Sequence, residues 1–365
     1  MTPIGLVLRS LRHYWRSNAA VVLGVATAVA VLAGALLVGD SVRGSLRDLV
    51  LLRLGRTDRA VLSSGFFREE LAGDLEGDAN FGSSFEAVCP VIVMQGVVTE
   101  QASGRRASRV QMYGIDDRFW RFHGLTGSRG PDGREALLSR ALASDVGAAA
   151  GSSVLVRVER PSAIPIESLH GRKDNLGRTL RLSVRAIVGL SDLGDFSLRP
   201  QQGDVRAVFV PLKRLQQDLD VSGRVNALLV SDRQGRPTSV DSSLDALIRR
   251  RFALEDIGLT VRIVAGARAL AVESTAGVLD QSRATASDDA AARTAMHAQP
   301  VLTYLANTVR RGDRQVPYSL VTAMDLRAIA PQAARANGSS TPPIVLNDWI
   351  AHDLGATVGD PLTLE

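Results

Sequence analysis

Residues 19–39, AAVVLGVATAVAVLAGALLVG, carry no charge, and their only polar side chain is Thr27. Wound into a helix, this stretch rises about 31 Å, close to the roughly 30 Å of a bilayer's hydrocarbon core. It predicts a transmembrane helix over 18–39. The residues before it include Arg9, Arg12, His13 and Arg16 and no acid. Positive charge is retained on the cytoplasmic side, so residues 1–17 are expected in the cytosol and those after about 40 outside. A cleaved signal peptide is the alternative reading, with Ala33-Gly34-Ala35 as its cleavage site. The apolar region of a signal peptide spans about 7–15 residues, and this one is longer.

The flanks of the run extend the helical pattern. Ile4, Val7, Leu8, Leu11 and Trp15 recur at helical spacing, with Arg9, Arg12 and Arg16 mostly opposite. This predicts an amphipathic helix on the inner leaflet, beyond what a positively charged leader needs. On the other side, Val42, Leu46, Val50, Leu51 and Leu54 continue a helix outward as a stalk. Small residues four apart within the span (Gly24/Ala28, Ala26/Ala30, Ala30/Gly34) permit close approach of another helix, although an alanine-rich sequence produces such spacing by chance.

Composition excludes several classes. The single cysteine, Cys89, rules out an intrachain disulfide and a CxxC site, and the five histidines are scattered. All but two of the 43 basic residues are Arg, the exceptions being Lys173 and Lys213, yet the runs are short and aromatics make up only 4%. No nucleic-acid partner is expected from that pattern.

Beyond the stalk, short strands and helices mix, which predicts an α+β fold. Strands are expected at Arg59–Ser63, at Phe85–Thr99 and Ala107–Ile115 (a hairpin), and at Ser153–Val158, Leu180–Leu190, Val205–Val210, Val225–Val230 and Leu259–Val264. Helices are expected at Glu135–Val146, Leu212–Leu219, Ser239–Arg250 and Asp288–Met296, with a helical turn at Asp117–Phe122. Residues 159–178 and 191–204 read as loops. Val301–Asn307 and Val316–Ala323 read as strands around the turn Arg311-Gly312-Asp313.

The chain also repeats itself. Leu138–Val156 (LSRALASDVGAAAGSSVLV) aligns without gaps on Leu346–Leu364 (LNDWIAHDLGATVGDPLTL) at an offset of 208, with six of 19 positions identical. The shared pattern is a helix closed by Gly147 or Gly355, a turn at Gly151 or Gly359, then a strand. In the first copy about 110 residues of sheet and helix follow that point, so the chain is expected to be the N-terminal part of a longer protein. The expected organisation is a cytosolic amphipathic helix (1–17), a transmembrane helix (18–39), an extracytoplasmic domain (40–268) and the start of a second, truncated copy of it (269–365).

Five segments together resemble the FtsX/MacB-like permease family of ABC transporters. They are LRSLRHYWRSNAAVVLGVATAVAVLAGALLVGDSV (8–42), MYGIDDRFW (112–120), SRALASDVGAAAGSSV (139–154), VFVPLKRLQ (208–216) and GRVNALLV (223–230). No one of them is specific; their order and spacing carry the resemblance. It implies a MacB-like extracytoplasmic domain on a non-enzymatic permease subunit in a bacterial cytoplasmic membrane. A separate cytosolic ATP-binding subunit would drive it, with a second permease subunit, identical or not, as a further partner. The family's later membrane spans and cytosolic coupling loop are not found in these residues. The alternative function is a single-span, membrane-anchored binding or scaffold protein.

No catalytic, cofactor or metal residues are expected. There is no GxxxxGK[ST], no GxGxxG after a strand, no GxSxG and no HExxH. Gly39-Asp40-Ser41 at the span's end is read as continuing helix. Asp116-Asp117 and Asp288-Asp289 are neighbours whose side chains point apart, unsuited to a catalytic pair. Cys89 is expected to be a buried small hydrophobe and His123 a turn residue rather than a ligand. Phe119 and Trp120 are expected in the core, with an exposed cargo contact as the alternative.

Overall fold

A computed structural model of the chain describes residues 3–125, 130–159, 177–233, 242–265, 269–330 and 341–365. It divides into two compact units, Met1–Arg160 with Gly177–Phe252, and a second whose described part is Ala253–Glu365. The architecture is α+β, with one long apolar N-terminal helix ahead of mixed sheet and helix. The loop expected at 159–178 falls almost wholly outside the described residues.

In unit 1, helix α1 (Pro3–His13) breaks at Tyr14, and α2 (Trp15–Leu54) then runs unbroken for 40 residues. At 1.5 Å per residue α2 is about 60 Å long, twice the thickness of a bilayer core. It is the one helix among the described residues long and apolar enough to cross a membrane, and no part of that apolar stretch is buried. Next come β1 (Arg59–Arg68), α3 (Leu71–Glu76), α4 (Phe81–Ser84), β2 (Phe85–Glu100) and β3 (Arg106–Ile115). They are followed by α5 (Asp117–Phe122), β4 (Glu135–Ser139), α6 (Arg140–Val146), β5 (Ser153–Glu159) and β6 (Gly177–Val188). The unit ends with β7 (Ala207–Pro211), α7 (Leu212–Asp218), β8 (Arg224–Asp232) and α8 (Ser242–Arg251).

The sheet order is β1-β8-β2-β3-β7-β4-β6-β5, and β5 pairs back onto β2. Strands β2-β3-β7-β4-β6-β5 therefore close into a ring that leaves none of its six members with a free edge. The pairs β3–β7 and β4–β6 are parallel; the other pairs are antiparallel. Side chains alternate across each strand, and the core divides accordingly. Val98, Met112, Val208, Leu138, Leu182 and Val156, one from each ring strand, share a single buried cluster. Tyr113, Phe209 and Leu137, one position along, belong to a second cluster with Phe119, Trp120 and Phe196.

In unit 2, β9 (Leu259–Val264) and β10 (Ala269–Ser274) form a hairpin, followed by α9 (Gln281–Arg293). A second hairpin pairs β11 (Leu302–Arg311) with β12 (Arg314–Ala323), and α10 (Asp348–Leu354) leads to β13 (Thr363–Leu364), which lies against β11. Helix α9 starts earlier than the expected Asp288 because the Asp280 carboxylate caps it, accepting from the Arg283 N–H at 2.8 Å.

The internal repeat is a structural one. Ser139 and Asn347 both cap their helices through side-chain oxygens, and Gly147 and Gly355 both end them in the left-handed region, at φ 70° and 58°. Just beyond, the Ala149 N–H donates to Ser152 Oγ, and the Thr357 N–H donates to Asp360 Oδ2. The pairing Val98↔Val156 and Thr99↔Leu155 recurs as Val309↔Leu364 and Arg310↔Thr363. The small core of Val309, Val316, Ile350, Leu354, Ala356 and Leu362 occupies the places of Val98, Ala107, Leu142, Val146, Ala148 and Val154. Strands β11, β12 and β13 are thus the counterparts of β2, β3 and β5.

Candidate functional site at the root of helix α2

Helix α2 enters unit 1 at a clamp built from residues far apart in sequence. Its covered positions near the root are Leu46, Leu49, Val50, Arg53 and Leu54, a helical stripe, whereas Val42, Leu51 and Leu52 are exposed. Leu46, Val50 and Leu54 of the expected helical pattern lie on this stripe, and Arg53 joins them facing the domain. Arg53 is 5% exposed, and its guanidinium donates to the carbonyls of Gln201 at 2.5 Å and Gly203 at 2.9 Å. The Arg53 carbonyl in turn accepts from the Ser197 N–H at 3.4 Å. A buried cation is tolerated only when hydrogen-bonded, and here the 190–204 loop supplies the acceptors.

The helix stops at Gly55, whose N–H still donates to the Leu51 carbonyl. Its φ of 57° suits glycine, and a Cβ there would stand 2.6 Å from His123 Nδ1. The next N–H, of Arg56, donates to His123 Nδ1 at 3.1 Å. An Nδ1 that accepts is unprotonated, so the imidazole is neutral with its hydrogen on Nε2. Burial, reinforced by the Arg56 charge, pushes the His123 pKa down to about 3. The ring packs edge-on against Phe119, Phe122 and Phe196 at 4.6, 4.9 and 5.4 Å between centroids. Arg56 itself pairs with Glu86 at 2.7 Å and holds that carboxyl below its usual range.

From the clamp the chain passes directly into the sheet. The Asp58 N–H donates to the Val230 carbonyl, and β1 then pairs with β8 from Arg59↔Val230 onward. Beneath the 190–204 loop, Gln111 Nε2 donates to Ser197 Oγ at 3.0 Å, and the Tyr113 hydroxyl bonds Gln111 Oε1. Arg53 Nε, Thr57 Oγ1 and His123 Nε2 are buried with no protein hydrogen-bond partner among the described residues. Each such group costs about 1–3 kcal/mol, so the root of α2 concentrates polar cost in the unit.

The residues singled out in the sequence take these places. His123 is indeed the turn residue after α5, but it also receives the end of α2. That role was hidden because the contact spans 67 residues. Phe119 and Trp120 are buried, at 0% and 2% exposure. Cys89 is buried in β2, and desolvation pushes its thiol pKa up. Asp116 caps α5 and pairs with Arg118, which also binds Glu69. Gly39-Asp40-Ser41 lie within α2, and Asp288-Asp289 lie exposed on α9. Among the described residues no group of three or more His, Cys, Asp or Glu is placed to hold a metal ion.

No protein-family model and no curated protein matches the sequence. Among solved structures, the chain is similar to the periplasmic region of MacB from Actinobacillus actinomycetemcomitans, at 11% identity and a TM-score of 0.34. That likeness covers 63% of this chain and 94% of the other. It is also similar to the extracellular domain of the noncanonic ABC-type transporter YknZ from Gram-positive bacteria, at 12% identity and a TM-score of 0.32. There it covers 59% of this chain and 99% of the other.

Proposed function

We propose that this chain is part of a permease-type subunit of an ABC-type transporter or mechanotransmission complex, in which a separate cytosolic ATPase moves an extracytoplasmic domain. The observation that carries the reading is the continuity of α2. One helix contains the membrane-length apolar run and ends in a clamp of Arg53, Gly55 and His123, with β1 of the sheet four residues later. A continuous helix hydrogen-bonded at its root transmits a tilt or axial shift of the span to the sheet without slack. A binding protein on a simple tether needs no such clamp. The ordered motifs of the FtsX/MacB-like resemblance point the same way.

Orientation follows from the cationic α1, which belongs on the cytosolic side of a bacterial cytoplasmic membrane, leaving β1 and all that follows outside. Cysteine labelling tests this, because the native Cys89 is buried. In intact cells a membrane-impermeant maleimide is expected to label Ala102→Cys and to reach Ser10→Cys only after permeabilisation. Affinity purification of the full chain from native membranes is expected to bring down a P-loop ATPase. Recovery of the chain with no ATPase would favour the anchored scaffold instead.

A further inference from the structure

Helix α1 and the first turn of α2 carry a charge that nothing near them in the chain balances. Arg9, Arg12, His13 and Arg16 fall within eight residues, and the first acid of the sequence is Asp40. Helix α2 runs unbroken between Arg16 and Asp40, so the two stand about 36 Å apart, more than the thickness of a bilayer core. With α2 crossing a bilayer, and no later apolar run of that length in the sequence, every acidic side chain of these 365 residues lies across the span from the arginines. The chain also fixes where α1 sits. It ends at His13, and Tyr14, at φ −100° and ψ 27°, separates it from α2. Five residues further, about 8 Å along α2, the apolar run begins at Ala19. Tethered there, α1 lies in or beside the headgroup layer. At about 100° per residue, Ile4, Val7, Leu8 and Leu11 form one face, all exposed, and Arg9, Arg12 and His13 form another. Trp15, exposed as well, follows at the junction, with the Arg16 guanidinium 5.6 Å from its ring centroid.

We propose that α1 and Arg16 form a docking surface for acidic phospholipid, so that the seating of α1 on its leaflet depends on the charge of that leaflet. Arg9, Arg12 and Arg16 hydrogen-bond lipid phosphates, and Ile4, Val7, Leu8 and Leu11 enter the acyl boundary beneath them. A guanidinium presents a planar fork of donors that matches a phosphate, and three of them at helical spacing suit a row of headgroups. Zwitterionic lipid carries its own cation beside each phosphate and leaves the arginines' charge unbalanced. An anionic headgroup supplies the counter-charge that the chain places only on the far side of the span. The inference requires only that α2 crosses a bilayer; it stands or falls separately from the ATPase partner.

The test reconstitutes the full chain in nanodiscs of phosphatidylglycerol or of phosphatidylcholine with the same acyl chains, and follows amide hydrogen exchange. A helix as short as α1, 11 residues, is marginal in water alone, so its protection reports its seating. Exchange over Leu6–Arg12 is expected to be slower by about tenfold or more in phosphatidylglycerol, while β2 and β3 exchange alike in both lipids. The combined variant Arg9→Gln, Arg12→Gln and Arg16→Gln is expected to lose that difference. Equal protection of α1 in the two lipids, whether strong or weak, overturns the proposal, because the apolar face alone, or nothing, then seats the helix. A combined variant that keeps the full difference also overturns it, because the lipid is then recognised without these arginines.

Discussion

The two copies of the hairpin–helix–strand frame differ in how far they are closed, not in how they are built locally. Caps, left-handed glycines, the turn after the helix and the first strand pairing coincide. In unit 1 the frame sits in a closed ring, and Leu142, Val146 and Val156 are fully buried. In unit 2, Ile350 is only half-buried and Leu364 is exposed, although Leu354 is covered. Local signals thus produce a helix end or a turn wherever they occur, whereas a strand forms only where partners take its hydrogen bonds. The largest test of the contrast is truncation at equivalent core positions. Leu142→Ala is expected to cost unit 1 about 3 kcal/mol, and Ile350→Ala to cost unit 2 about 1 kcal/mol. Urea titrations separate them, because Trp120 reports on unit 1 and Trp349 on unit 2 once Trp15 is replaced by Phe. Equal losses would mean that the two cores are equally closed.

Among the described residues the clamp has no counterpart in unit 2, so damage to it should stay in unit 1. Gly55→Ala places a methyl 2.6 Å from His123 Nδ1 at a φ of 57°. Strain and displacement together are expected to destabilise unit 1 by about 2 kcal/mol. The Trp349 transition should not move. A Trp120 midpoint identical to wild type would show that His123 yields freely and that the clamp is loose.

His123 makes the same contrast dependent on pH. Its folded pKa, about 3, lies below the ordinary 6.5 of the unfolded chain. Between those values the unfolded state binds the proton and the folded state does not. Stability from this group is therefore complete above about pH 6.5 and falls with pH toward 3, by about 1.4 kcal/mol per unit. The clean window is pH 6.5 to 5, before most carboxylates titrate. His123→Asn should be less stable at pH 7 and should flatten the fall in the Trp120 transition across that window. An unchanged slope would show that His123 is protonated in the fold and does not accept from Arg56.

How much of this was legible in the sequence follows the same division. The span, the β2–β3 hairpin, the glycine caps and the second copy were readable because each rests on neighbouring residues. The short helices α3 and α4 and strand β10 show no period, being too brief or too mixed, and the helix expected over Glu135–Val146 begins only at Arg140, because Glu135–Ser139 form strand β4 between β6 and β7. The ring's closure through β2–β5 pairing and the meeting of Gly55 with His123 depend on contacts across 50 residues or more, for which one sequence offers no signal. The burial of Arg53 has no signal in the sequence either. Only the acceptors from the 190–204 loop make its burial intelligible.

The smallest test compares the two helix caps, which do one job in different surroundings. Asn347 Oδ1 accepts from the Ile350 N–H at 2.9 Å in an exposed setting, so Asn347→Ala is expected to cost unit 2 about 1 kcal/mol. Ser139 Oγ accepts from the Leu142 N–H but also donates to the Val205 carbonyl at 2.7 Å and accepts from the Ala207 N–H at 3.0 Å. Ser139 is wholly buried, so Ser139→Ala leaves a carbonyl and two N–H groups unmet inside the core, at a cost nearer 2–3 kcal/mol. The excess measures what ring closure adds to a shared local motif.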